Sequence, residues 1–147
     1  MTSLEIIYES FLFKVKEDEW DDITELNDYE KCWKSYLLSA IGYFKFPRKS
    51  LKFNEDKTAF AADLDDEEIQ ILSDYMKVEW LQGSILTWEQ IKGEYPEAEF
   101  SHANLLDKLD KTLKTTISRA ERKEKNYYRS INGEPFDYSQ LAGKGKD

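Results

Sequence analysis

A chain of 147 residues with 40% apolar and 35% charged residues is long enough for one domain with a buried core, and its 4 Trp, 9 Tyr and 8 Phe exclude a disordered chain. Its net charge of -9 argues against the usual phosphate-binding mode, which needs a concentrated basic face. The single cysteine, Cys32, excludes an internal disulfide and a multi-cysteine zinc site. With no basic-then-apolar leader and no apolar run near the roughly 20 residues of a membrane span, a soluble protein made in a reducing compartment is expected.

Ser3 caps the first predicted helix, which carries Leu4, Ile7, Tyr8, Phe11, Leu12 and Val15 along one face. The acidic segment Glu17-Asp18-Glu19-Trp20-Asp21-Asp22 interrupts it, as a loop or as one turn pinned by Trp20 and Ile23. A calcium loop would need a central glycine that this segment lacks, so the acids read as a solvated face. A second helix starts near Asn27, with Glu30 completing a capping box, and carries Trp33, Tyr36, Leu37, Ala40, Ile41 and Phe44 until Pro47 ends it. The connector from about Pro47 to Ala62 is long enough to be functional or partly extended. The basic cluster here, Lys45, Arg48, Lys49 and Lys52, is interleaved with Phe46, Leu51 and Phe53. It is either an exposed connector or a contact for nucleic acid or an acidic partner surface.

The central element begins at Leu64-Asp65-Asp66-Glu67-Glu68. Asp65 and Glu68 form a capping box, Leu64 and Ile69 occupy staple positions, and the four acids favour the positive end of the helix dipole. Ile69, Leu72, Met76 and Trp80 make a stripe that Ile71, Tyr75 and Val78 widen, so this helix is expected to be the core post, surrounded by the others. Gly83 is placed to stop it, Thr87-Trp88-Glu89-Gln90 to cap a short helix through about Lys92, and Gly93 and Pro96 to bracket a turn. Ser101 then caps a last, long helix from about His102 to Arg129, with the stripe Leu106, Leu109, Leu113, Ile117 and Ala120. Its second half, with Arg119, Arg122, Lys123 and Lys125, offers little apolar surface before Tyr127-Tyr128 and is expected to project from the core. The tail from 131 to 147 reads as extended, either disordered or docked on a neighbouring subunit through Phe136, Tyr138 and Leu141.

Charge is uneven along the chain. Residues 1–30 carry ten acids and two lysines, while 107–125 carry seven bases and four acids. That polarity suits head-to-tail contact between copies, and solvated helix faces explain it equally. No phosphate loop, dinucleotide fingerprint or nucleophile elbow is present. His102, the single histidine, and Cys32 make a poor nucleophile pair, because no third group orients them. The reading is therefore of no catalytic residues, no metal and no cofactor.

The words Asp63-Leu64-Asp65-Asp66-Glu67-Glu68-Ile69-Gln70-Ile71-Leu72, Met76-Lys77-Val78-Glu79-Trp80-Leu81 and Phe100-Ser101-His102-Ala103-Asn104-Leu105-Leu106 resemble small structural proteins of tailed bacteriophages, encoded in gene blocks for the neck. Tyr36-Leu37-Leu38-Ser39-Ala40-Ile41 is similar to their second helix, and Tyr127-Tyr128 to the aromatic end of their last. The likeness covers about residues 4–130, and the tail after Ser130 departs from it. The resemblance implies a head–tail connector, or adaptor: a helical virion protein, made in the host cytoplasm, that assembles with its own copies as a ring, commonly twelvefold, beneath the portal. Such a ring extends the DNA channel, passing DNA without specific contact, and meets the next neck or tail protein.

The sequence thus predicts an all-α bundle of four to five helices over 1–130, with a long C-terminal helix, and an extended tail over 131–147. Arg119, Arg122, Lys123, Tyr127, Tyr128, Phe136, Tyr138 and Leu141 are the expected subunit contacts, while Leu72, Met76 and Trp80 are core. Two alternatives stand beside the connector. One is a small acidic helical protein that regulates a phage or host partner outside the particle. The other is an enzyme using carboxylates such as Asp63, Asp65 and Glu68.

Overall fold

The computed structural model describes residues 1–17, 30–94, 99–131 and 134–135. Within them the chain runs β1 (Thr2–Ser3), α1 (Leu4–Glu17), α2 (Glu30–Tyr43), β2 (Ala59–Phe60), α3 (Asp66–Glu94), α4 (Glu99–Tyr128), β3 (Ser130–Ile131) and β4 (Glu134–Pro135). The architecture is all-α, as the periodicity requires. The acidic segment 18–29, with Trp20, Ile23 and the Asn27 cap, lies outside the described residues.

The capping box at the start of α3 forms as its spacing dictates. Glu68 N donates to Asp65 Oδ1 and Asp65 N donates to Glu68 Oε1, both at 2.9 Å. From Ile71 to Val78 every residue is buried, polar ones included, so these two turns of α3 are enclosed around their whole circumference. Helices α1, α2 and α4 all pack on it. Leu4, Ile7, Phe11 and Val15 of α1, Leu37 and Ala40 of α2, and Leu109, Ala120 and Tyr127 of α4 close the core around Leu72, Met76, Trp80 and Leu81.

Helix α3 does not stop at Gly83, where the sequence suggested an end. It continues to Glu94 because Leu81 and Ser84 extend its buried face, which outweighs the roughly 1 kcal/mol that a helical glycine costs. Thr87 opens no new helix. Its hydroxyl donates to the Gly83 carbonyl one turn back, at 2.9 Å.

The second half of α4 also departs from expectation. It does not project: Thr116, Ala120, Glu124 and Tyr127 are buried at steps of four, four and three residues. The inward stripe thus continues past the last aliphatic residue, carried by a carboxylate and a phenol.

Two short antiparallel pairs were not legible as strands. β1 pairs with β2 (Thr2 with Phe60, Ser3 with Ala59), which pins the connector across the start of α1. Asn54 shapes the turn before β2, its Oδ1 accepting from Thr58 N at 3.0 Å and Ala59 N at 3.2 Å. Lys57 in that turn takes a φ of 57°. β3 pairs with β4 (Ser130 with Pro135, Ile131 with Glu134), so the chain turns back just after α4.

The central position of α3 makes a direct prediction. Met76→Ala should lose about 2–5 kcal/mol of unfolding free energy, whereas Leu86→Ala, at a side chain left 61% exposed on the same helix, should change it by less than about 0.5 kcal/mol. Urea denaturation followed by helical circular dichroism measures both.

Candidate functional site

Among the described residues three carboxylates are buried, and each is met by cations or phenols from other elements. Asp74 of α3 lies between Lys14 Nζ of α1 at 3.1 Å and Lys123 Nζ of α4 at 2.8 Å. Lys14 also donates to Gln70 Oε1 at 2.6 Å, and Ser10 Oγ donates to Ser73 Oγ at 3.0 Å beside it. Burial lowers the Lys14 pKa, Asp74 opposes that, and the Lys123 charge adds to it.

Glu68, at the head of α3, joins the connector to the end of α4. Beyond its capping role it accepts from the Tyr127 hydroxyl at 3.1 Å and pairs with Lys49 Nζ at 3.2 Å. The Tyr127 oxygen in turn accepts from Arg48 N at 2.6 Å, and the Arg48 guanidinium lies 3.9 Å from the centre of the Tyr127 ring. The same guanidinium donates to the carbonyls of Tyr127 and Ser130. Burial, reinforced by the Glu68 charge, pushes the Tyr127 phenol up to about 12.

Glu124 of α4 accepts from both the Tyr75 and Tyr128 hydroxyls. The Tyr128 oxygen accepts from Phe46 N at 3.2 Å, and the Tyr43 ring stacks on Tyr75 with centroids 5.3 Å apart. Between these groups lies an open groove of about 470 Å³, lined by Tyr43, Lys45, Tyr75, Gln82, Lys125 and Tyr128 among others. Phe46, 71% exposed, lies edge-on to the Tyr128 ring with centroids 5.8 Å apart.

The expected contact residues fall into different places. Arg122 and Tyr128 are exposed, and Arg119 is half-buried beside a smaller groove with Lys77 and Thr112. Lys123 is drawn inward by Asp74. Tyr127 is fully buried, so in the folded monomer it is a core residue and presents nothing to a neighbour. Phe136, Tyr138 and Leu141 lie outside the described residues. In the basic connector cluster, Arg48 and Lys49 are engaged by this chain's own acids and carbonyls, while Lys45 reaches the groove.

Tyr43, Tyr75 and Glu124 as partners, and Phe46 as a ring contact of Tyr128, were not legible from spacing. One signal was available: Glu124 keeps the inward register of Ala120 and Tyr127. Its partners are 49 residues upstream on α3 and four residues ahead on its own helix, so only the tertiary fold brings all three together.

Elsewhere, Cys32 is a half-buried free thiol, and the His102 side chain lies outside what is described. Among the described residues no cluster of three or more His, Cys, Asp or Glu is placed to hold a metal. No helix among them is long and apolar enough to cross a membrane. Compared with family models, curated proteins and solved structures, the chain matches none.

The phenols held against Glu68 and Glu124 set a pH dependence. Tyr127 and Tyr128 are pushed up to about 12 from an ordinary 10.0, and Tyr75 is raised further still. The folded state therefore keeps these protons where the unfolded chain has lost them. The corresponding stability is complete below pH 10 and is lost as pH rises from about 10 through 12. Lys14, lowered by burial, acts in the opposite sense, but Tyr36 and Tyr43 are raised as well, so it is outnumbered. Thermal unfolding across this range should show a steep alkaline fall that Tyr127→Phe makes shallower, with tyrosinate absorbance reporting the late titration directly.

Proposed function

We propose that this chain is a non-enzymatic structural protein of a tailed-phage neck, a helical subunit that joins its own copies in a ring between portal and tail. The observation that carries the reading is the division of labour between inner and outer surfaces. Inside, charged groups neutralise one another. Outside, the helices keep two faces of opposite character.

On α1, Ile6 and Phe13 are 47% and 66% exposed, two helical turns apart, with the exposed acids Glu5 and Glu9 beside them. On α4, Arg122 and Lys125 are exposed, with Arg129 exposed just past the helix end and Lys114, paired with Asp110 at 3.3 Å, further back along the helix. An acidic, apolar face meeting a basic one on the next copy is a heterologous contact, which closes into a ring when the rotation allows. A net charge of -9 suits a channel through which DNA slides, since like charge disfavours tight phosphate contact. The portal below and a neck or tail protein above are the remaining partners in this reading.

The carboxylates of the enzymatic alternative have other occupations. Asp65 and Glu68 cap α3, Glu68 is fully buried, and Asp63 is 87% exposed at the surface. A regulator acting outside the particle would use the same outer faces, and its absence from purified virions would favour that reading.

Sedimentation and native mass measurement test the ring. The wild-type chain mixed with portal should form a ring-sized assembly. Arg122→Glu with Lys125→Glu should abolish it while leaving the helical spectrum unchanged, and Glu5→Lys with Glu9→Lys on a second chain should restore mixed assemblies. A wild-type chain that stays monomeric with portal present contradicts the proposal.

A further inference from the structure

The smaller groove beside Arg119 is an open pocket of about 260 Å³ between α3 and α4. Lys77 of α3 forms one wall, and Lys111, Thr112, Thr115, Thr116 and Arg119 of α4 form the other. The α4 residues recur at steps that keep one helical face, with a cation at each end and threonines between. Among the described residues no carboxylate lines the pocket. In a chain of net charge -9, three cations gathered around one concavity without an acid reverse the prevailing sign.

Lys77 sets this pocket apart from a basic stretch of surface. It is 2% exposed, within the enclosed turns of α3, so its charge is screened far less than that of a surface lysine. It is not without a partner, but an ammonium carries three donors and one contact does not exhaust it. Lys111 pairs with Asp107 at 3.2 Å, yet both side chains are well exposed, so exchanging that acid for another anion costs little. Arg119 is half-buried, and among the described residues no carboxylate pairs with it. The hydroxyls of Thr112, Thr115 and Thr116 donate to carbonyls one turn back, at 2.9, 3.0 and 2.7 Å, so the cations are the donors that meet a ligand. From Lys111 to Arg119 the helix advances about 12 Å, a span that fits consecutive phosphate groups better than a single one. We propose that this pocket binds a chain of phosphates, held by the planar fork of Arg119 at one end and Lys111 at the other, against the Lys77 charge. A nucleoside triphosphate and a nucleic-acid backbone both present that chemistry. The proposal stands independently of the neck assignment, and it gives Arg119, expected from the sequence as a subunit contact, a ligand instead.

Titration of the full chain with inorganic triphosphate at low salt tests this, followed by calorimetry and by NMR shifts of amides and methyls. Saturable binding with a dissociation constant at or below about 1 mM is expected, with shifts concentrated at Thr112, Thr115 and Thr116. Lys111→Ala with Arg119→Ala should weaken it by about tenfold or more and leave the helical circular dichroism unchanged. Lys16→Ala with Lys52→Ala removes the same charge elsewhere and should change the affinity by less than about twofold. A short DNA duplex separates the two sources. If it moves the same threonine signals and weakens in the same variant, the ligand is a nucleic-acid backbone; if triphosphate alone does so, it is a nucleotide or free phosphate. Absence of saturable triphosphate binding overturns the proposal. So do shifts scattered away from the threonines, or an affinity that both double variants change equally.

Discussion

A carboxylate taken out of water must find opposite charge or hydrogen-bond donors, and among the described residues three do so across helix boundaries. Asp74 needs α1 and α4 at once, since Lys14 and Lys123 approach it from different helices. Glu68 needs the connector and the end of α4, through Lys49 and Tyr127. Glu124 needs Tyr75 of α3 and Tyr128 of its own helix. Apolar packing supplies most of the driving force, but it tolerates sliding and rotation. A buried charge does not, because a shift of a few ångströms leaves it unpaired. Together the three acids fix the register of α1, α4 and the connector against α3.

That arrangement has a consequence for function. Much of the reactive-looking chemistry of the chain, the acids of α3 and the lysines and tyrosines near them, is spent inward on holding the helices together. What is left outside is shape and charge: an acidic face with Ile6 and Phe13, a basic face on α4, and an aromatic groove at the end of that helix. A rigid body with contrasting outer faces is suited to repeated contact with copies of itself. The proposed role in a ring follows from this division.

Much of the fold was legible because its signals are local. The Asp65–Glu68 box, the Ile7–Phe11–Val15 stripe and the Leu72–Met76–Trp80 stripe each depend on residues three or four apart, and each forms as read. The misreadings arise where tertiary contacts override a local cue. Gly83 and Thr87 look like punctuation, yet the burial of Leu81 and Ser84 carries α3 through both. The basic end of α4 looks solvated, yet Asp74 and Tyr75 on α3 draw Lys123 and Glu124 inward. Strands of two residues, Thr2–Ser3 and Ala59–Phe60, carry no detectable period and exist because residues far apart in sequence meet. The candidate site was half visible: Arg122 and Tyr128 are at the surface, while Tyr43 and Tyr75 join the groove by packing that no spacing announces.

The dependence of the whole on buried charge is tested most directly at Asp74, by comparing unfolding free energies of Asp74→Leu, Lys14→Met and the double variant. Asp74→Leu strands the Lys14 ammonium in the core and should cost about 3–5 kcal/mol, while the double variant, which leaves unpaired only Lys123 with its 34% exposed side chain able to turn to water, should recover most of that loss. Single and double variants that both stay within about 0.5 kcal/mol of wild type would show that the pair does not hold α1 to α3, and would contradict the account.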